Sequence, residues 1–241
     1  MRPNVASEKS VGRPNRELVP PTMSWARGKN GGTRAPYKGQ IYMRVLIACE
    51  FSGVVRDAFI EKGHDAVSCD LLPSESPGPH IVGDVRELLD NRWDLMVAHP
   101  PCTHLAVSGA RWFSEKAAEQ AAALDFVRCL MLAPIPRIAI ENPVSIISSK
   151  LRKTDQVVHP WQFGHGETKA TCLWLKSLPP LIPTDLVAGR FPRSHRLPPS
   201  PDRWKIRSRT YSGIAEAMAE QWGRSMEIGT GAPYQLRLSG L

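Results

Sequence analysis

The chain has 241 residues and a formal net charge of +8, enough for one sizeable core and too few for two comfortable domains. It opens with no apolar leader, and no run approaches the length of a membrane span, so the expectation is a cytoplasmic protein with no membrane partner. Its five cysteines, an odd set without a CxxC spacing, argue for reduced thiols over a disulfide framework.

Residues 1–42 carry eight Lys/Arg and two Asp/Glu amid Pro, Gly and Asn, with no apolar periodicity. They read as a disordered basic tail. Order is expected from Met43, where a shorter chain could also begin. RVLIAC (Arg44–Cys49) reads as a buried strand, and Gly53–Lys62 follows as an amphipathic helix. DAVSC (Asp65–Cys69), HIV (His80–Val82) and DLMVA (Asp94–Ala98) read as further strands. Ser114–Leu132 reads as the longest helix, with Ser114 in the N-cap position and Pro134 and Pro136 stopping it. RIAIE (Arg137–Glu141) and TCLWLK (Thr171–Lys176) complete the strands. Residues 43–178 thus form one α/β unit, a mostly parallel sheet with helices on both faces.

After Pro179 the chain becomes rich in Pro and Arg. Residues 185–210 hold seven basic and two acidic residues, so 179–210 reads as a basic loop. Ser212–Gly223 then reads as a helix with a serine cap and a glycine stop, opening a last segment, 211–241. Residues 43–184, by contrast, hold fourteen basic and sixteen acidic residues. The positive charge lies in two segments and not in the main body.

In such sheets ligands bind beyond the carboxyl ends of the strands. That rule selects Glu50–Gly53, Asp70, Asp84, His99–Cys102 and Glu141. Strand, then EFSG, then helix is the layout of a nucleotide-binding first turn, with Gly53 allowing close approach. Asp70, at the end of the next strand, stands where an acid binds ribose hydroxyls, and Asp84 adds a further acceptor. In HPPCTHLAVSG the two prolines offer no N–H to a ladder and hold the backbone extended, presenting Cys102 at the rim. A cysteine attacks as thiolate, so it needs a lowered pKa or removal of its proton in the site. Cys49, Cys129 and Cys172 read instead as buried structural residues. Glu141, in Glu141-Asn142-Pro143, ends the fifth strand at the same rim. Enclosure would raise its pKa, and a carboxylic acid there could protonate and hold a ring nitrogen.

Together these residues resemble the DNA cytosine-5 methyltransferase family. HPPCTHLAVSG is similar to its Pro-Pro-Cys nucleophile motif and IAIENPVSII to its Glu-Asn-Val motif. EFSG resembles its Phe-x-Gly cofactor motif. FGHGETKATCLWL (Phe163–Leu175) looks like a degraded Gln-x-Arg-x-Arg motif, with Glu167, Lys169 and Thr171 at those places. Departures are Val55 for a second glycine, Thr103 for glutamine, Pro143 for valine, and both arginines lost. The family's long target-recognition region is reduced to Pro179–Arg209.

The resemblance implies a Rossmann-like, S-adenosyl-L-methionine-dependent methyltransferase fold. It further implies that Cys102 adds to carbon 6 of cytosine while Glu141 stabilises charge at nitrogen 3, making carbon 5 nucleophilic toward the cofactor's methyl group. Lys169 joins these two as a catalytic residue. The cofactor would lie against Phe51, Ser52, Gly53, Asp70, Asp84 and Pro100. Asn142 and Thr171 would meet the substrate. Arg203, Lys205 and Arg207, grouped with Trp204 in the basic loop, suit phosphate contacts with stacking, so the expected partner is DNA. A free cytosine nucleotide is the alternative substrate, and an inactive nucleic-acid-binding module is the rival of a different class. His99, Cys102 and His104 crowd together as metal ligands would, but no second paired motif supports them and no metal is expected.

Overall fold

The computed structural model describes residues 42–224. The expected basic tail and the segment after the last helix lie outside the described residues. Seven strands, β1 (Arg44–Ala48), β2 (Asp65–Asp70), β3 (His80–Val82), β4 (Leu95–Ala98), β5 (Arg137–Pro143), β6 (Gln156–Val158) and β7 (Thr171–Lys176), form one sheet in the order β3-β2-β1-β4-β5-β7-β6. The first five are parallel, and β7 runs antiparallel to both β5 and β6. The chain therefore has the expected α/β, Rossmann-like class. The order reverses between β1 and β4, which opens a crevice at their carboxyl ends.

Alternation along the central strands builds two cores. Val45, Ile47, Leu95 and Val97 face the layer formed by α1 (Val54–Glu61) and α6 (Ser212–Gly223). Leu46, Ala48, Met96 and Ala98 face the layer formed by α2 (Ala117–Met131). All eight are fully buried, which explains why both strands read as unbroken apolar runs. Phe59 and Trp222 anchor the first layer, and the Trp222 indole N–H donates to the Pro179 carbonyl at 2.9 Å. Trp174 does the same in the second layer, donating to the Arg152 carbonyl at 2.9 Å.

Several expectations need correction. β6, only three residues long, and the reversed direction of β7 were not expected. α2 starts at Ala117, not Ser114, with Lys116 at its N-cap. The residues before it wind in 3₁₀ turns (Val107–Glu115) tied to the exit of β5 by the Val107 N–H on the Val144 carbonyl. Cys129 is exposed, because the buried stripe of α2 passes through Val127 and Leu130. α6 has no serine cap; the Gly213 amide donates instead to His165 Nε2 at 3.0 Å. The basic loop contains two short helices, α4 (Arg193–Arg196) and α5 (Arg203–Ser208), after the four-residue α3 (Ile147–Lys150).

Candidate active site

The exit of β1 turns sharply. Gly53, at the N-cap of α1, has φ +77°, and a Cβ there would lie 2.1 Å from Ser76 Oγ and 2.4 Å from Arg56 Nη2. The close approach is thus to the chain itself. Glu50 is buried, and its carboxylate accepts from the Val55 amide at 2.7 Å, the Arg56 amide at 3.2 Å and Ser52 Oγ at 3.1 Å. A dinucleotide's pyrophosphate takes those helix N-terminal amides in related sheets. Here the chain's own carboxylate already satisfies them.

Arg56 is fully buried and gathers the loop between β2 and β3. It donates to Ser68 Oγ, Ser74 Oγ, Ser76 Oγ and the Pro77 carbonyl at 2.6–3.3 Å. Asp70 ends β2, with Oδ1 accepting from the Leu72 amide at 3.0 Å. Asp84 caps the turn after β3 and is paired with Arg86, which holds its carboxyl below the usual range. Phe51 is nearly buried, its ring 5.7 Å from that of Trp204 on α5. The basic loop therefore folds back over the end of β1, where the Arg209–Glu75 ion pair also fastens it.

Across the crevice, the register pairs Ala98 of β4 with Ile140 of β5, so His99 and Glu141 emerge side by side. His99 Nδ1 lies 3.0 Å from Glu141 Oε2. Burial alone would push Glu141 up, but the His99 hydrogen bond and charge, with Lys169, hold it below the ordinary carboxylate value. Burial alone would push His99 down, and Glu141, with Glu50 adding, raises it instead. The expected raised carboxyl is thus corrected: beside His99 the carboxyl is pulled below its ordinary value, and the imidazole is pulled above its own.

Pro100 is buried, and Asn142 Nδ2 donates to its carbonyl at 2.8 Å. The Cys102 carbonyl accepts from the Leu105 and Ala106 amides, so the turn carrying the thiol is held at both ends. Cys102 is exposed at its edge. Crowding by protein atoms, then the Glu141 charge, push its thiol up, against the pull of Lys169 and Arg207. The resting group is therefore a thiol whose proton must leave within the site.

Lys169 donates to the Arg207 carbonyl at 2.8 Å and lies 5.8 Å from the centre of the Tyr211 ring. It acts electrostatically on Cys102, Glu141 and His99 together. Thr171 begins β7 opposite Pro143, buried, with Oγ1 3.4 Å from the Lys169 carbonyl. Glu167 accepts from the Ser194 amide at 3.1 Å, fixing α4 to the segment that leads into β7. Lys205 lies 4.0 Å from Asp202 and beside the Trp204 ring. Arg203 stands at the start of α5.

The structure thus gathers Cys102, Glu141, Lys169 and Arg207 at one rim and the residues around Glu50 and Asp70 at the neighbouring one. It turns the Asn142 amide toward the Pro100 carbonyl. Sequence reasoning missed three contributors: Glu50 as a helix cap, Arg56 as the clasp of the β2–β3 loop, and His99 as the partner of Glu141. The available signal for His99 was its place directly after a strand whose neighbour ends in Glu141.

No protein-family model matches the chain, and no curated protein does. Among solved structures, the crystal structure of the S. pombe Dnmt2 methyltransferase is similar with a TM-score of 0.41 and 15% identity, over 56% of this chain and 49% of that one. The matched part thus spans about half the length of that protein.

Proposed function

We propose that this protein transfers a methyl group from S-adenosyl-L-methionine to carbon 5 of cytosine in DNA through a covalent cysteine adduct. The observation that carries the reading is the rim shared by Cys102 and Glu141, a nucleophile and a carboxyl on adjacent strand ends with Lys169 and Arg207 beside them. A thiol adding to carbon 6 needs its proton removed and charge stabilised on the opposite ring nitrogen. These side chains are of the types that do both.

The first-turn geometry fits the cofactor. Glu50 occupies the helix amides that a phosphate would need, which disfavours a dinucleotide and suits a cofactor with a positive sulfonium and no phosphate. Asp70 is the ribose acceptor, and Phe51 and the Gly53 turn line the same side. When bound, the cofactor supplies an electrophilic methyl group. Cys102 gives its proton to water, its sulfur bonds to carbon 6, and the ring's electron pair moves toward nitrogen 3, held at Glu141. Once carbon 5 has bonded to that methyl group and given its own proton to water, the carbon–sulfur bond breaks and Cys102 is released.

DNA is favoured over a free nucleotide by α5. Trp204 and Ile206 are half exposed on it, Arg203, Lys205 and Arg207 share it, and it borders Phe51 and Lys169. Stacking and phosphate contacts then sit together beside the nucleophile. On duplex DNA the base must leave the stack to reach Cys102. Tritiated methyl transfer to DNA and to cytosine mononucleotides, measured side by side, tests the reading. Label in DNA is expected; label only in the mononucleotide, or in neither, would overturn it.

A further inference from the structure

Resting on the cytosine reading above, we propose that His99 is the proton store of this site, holding one proton against Glu141 and giving it up when a ring nitrogen is presented to the carboxyl. The first observation is geometric. His99 Nδ1 and Glu141 Oε2 are 3.0 Å apart on side chains 9% and 13% exposed. The pair sits on two adjacent strand ends, beside the nucleophile's turn. Oε2 is taken by His99, which leaves Oε1 for a substrate.

The second observation is the other ring nitrogen. His99 Nε2 is buried and has no hydrogen-bond partner among the described residues. Among the described residues the imidazole therefore exchanges its proton through one contact, that of Nδ1 with Glu141 Oε2. The groups facing the imidazole are Glu141 from β5, Glu50 from the exit of β1 and Lys169 from the approach to β7. Two carboxylates against one ammonium favour the imidazolium, and the ring sits above its ordinary value despite its burial.

As the Cys102 sulfur bonds to carbon 6, an electron pair of the ring moves to nitrogen 3. The Nδ1–H bond of His99 breaks, the carboxyl takes the proton and passes it to nitrogen 3, and His99 becomes neutral. That pair returns to carbon 5 as carbon 5 bonds to the methyl group. Carbon 5 then gives its own proton to water, and the pair it leaves forms the carbon 5–carbon 6 double bond. The carbon–sulfur pair departs with the Cys102 thiolate, and the nitrogen 3 proton goes back through Glu141 to His99. No oxidant, metal or added acid is needed.

The stored proton is present below the raised His99 value and lost as pH rises through it, while the Cys102 thiolate gains with pH. The rate is therefore bell-shaped, with apparent values belonging to the coupled set. In His99→Asn an amide can still donate to Oε2 and hold the carboxyl, but it stores no proton.

The test has two readouts. In the free protein, ¹⁵N NMR of the imidazole should show His99 titrating above the ordinary histidine value, and Glu141→Gln should bring it down. Methyl transfer to DNA by His99→Asn should lose roughly 10-fold or more at pH values just below the His99 titration, where the wild type still holds the stored proton. Near pH ~6 the loss should be smaller, with the alkaline limb shifted to lower pH and S-adenosyl-L-methionine affinity unchanged. An unchanged pH profile in His99→Asn, with the wild type active, would overturn the proposal and leave the cytosine reading standing. A His99 that titrates at or below the ordinary value would overturn it whether or not the variant folds. A wild type that methylates no cytosine would overturn both, since the stored proton would have no reaction to serve.

Discussion

Removing the Asn142 amide should damage catalysis far more than stability. Asn142 is 1% exposed, and its Nδ2 holds the Pro100 carbonyl at 2.8 Å. Asn142→Ala deletes that bond and leaves a carbonyl inside the fold without its donor. A lost neutral hydrogen bond contributes about 1 kcal/mol and the stranded carbonyl about 1–3. The small side chain leaves little cavity, and its unpartnered Oδ1 is removed at the same time, so about 2 kcal/mol in total is expected. For a chain of this size that lowers Tm by roughly 4–8 °C, well short of unfolding at 25 °C. The turn it releases carries Cys102, and a nucleophile misplaced by about 1 Å costs on the order of 100-fold in rate. Circular dichroism melts paired with methyl transfer at 25 °C separate the two effects. A variant with the Tm loss and a wild-type rate would refute the argument that Asn142 positions the nucleophile.

Cys102→Ala should abolish methyl transfer while calorimetry finds S-adenosyl-L-methionine affinity nearly unchanged; a residual rate above about one hundredth of wild type would remove Cys102 from its role. Asp70→Ala should weaken the cofactor, and an unchanged dissociation constant would take Asp70 out of its site. DNA affinity should fall by roughly 0.7–0.9 log units per log unit of salt for each phosphate contact. The double variant Arg203→Gln/Lys205→Gln should flatten that slope, and a slope indifferent to both would exclude α5 from the DNA interface.

The parts of this fold legible in the sequence are those where burial writes a pattern. β1 and β4 are covered on both faces, so each is an unbroken apolar run, and α6 shows a clear stripe from Ile214 to Trp222. β6 spans only Gln156–Val158, too short for any period to register. The direction of β7 was hidden because an apolar run reads the same either way. α5 lay inside a stretch dominated by Pro and Arg, and its place depends on distant contacts such as Phe51 with Trp204. At the site, Cys102 and Glu141 stood out because each stands toward the carboxyl end of a strand and bears reactive chemistry. The ionisation of Glu141 was misjudged because it depends on His99. That pairing exists only in the register of β4 against β5, which no local pattern records.

The covalent bond between Cys102 and cytosine is the centre of the account, and one measurement reaches it directly. Fluorine at carbon 5 cannot leave as a cation, so an adduct that has received its methyl group is unable to expel the cysteine. DNA carrying 5-fluorocytosine, incubated with the full chain and S-adenosyl-L-methionine, should give a stable protein–DNA complex. Peptide mass spectrometry should place the added mass on Cys102, and Cys102→Ala should form none. A wild-type protein that methylates ordinary DNA yet yields no adduct, or an adduct on another residue, would contradict the account.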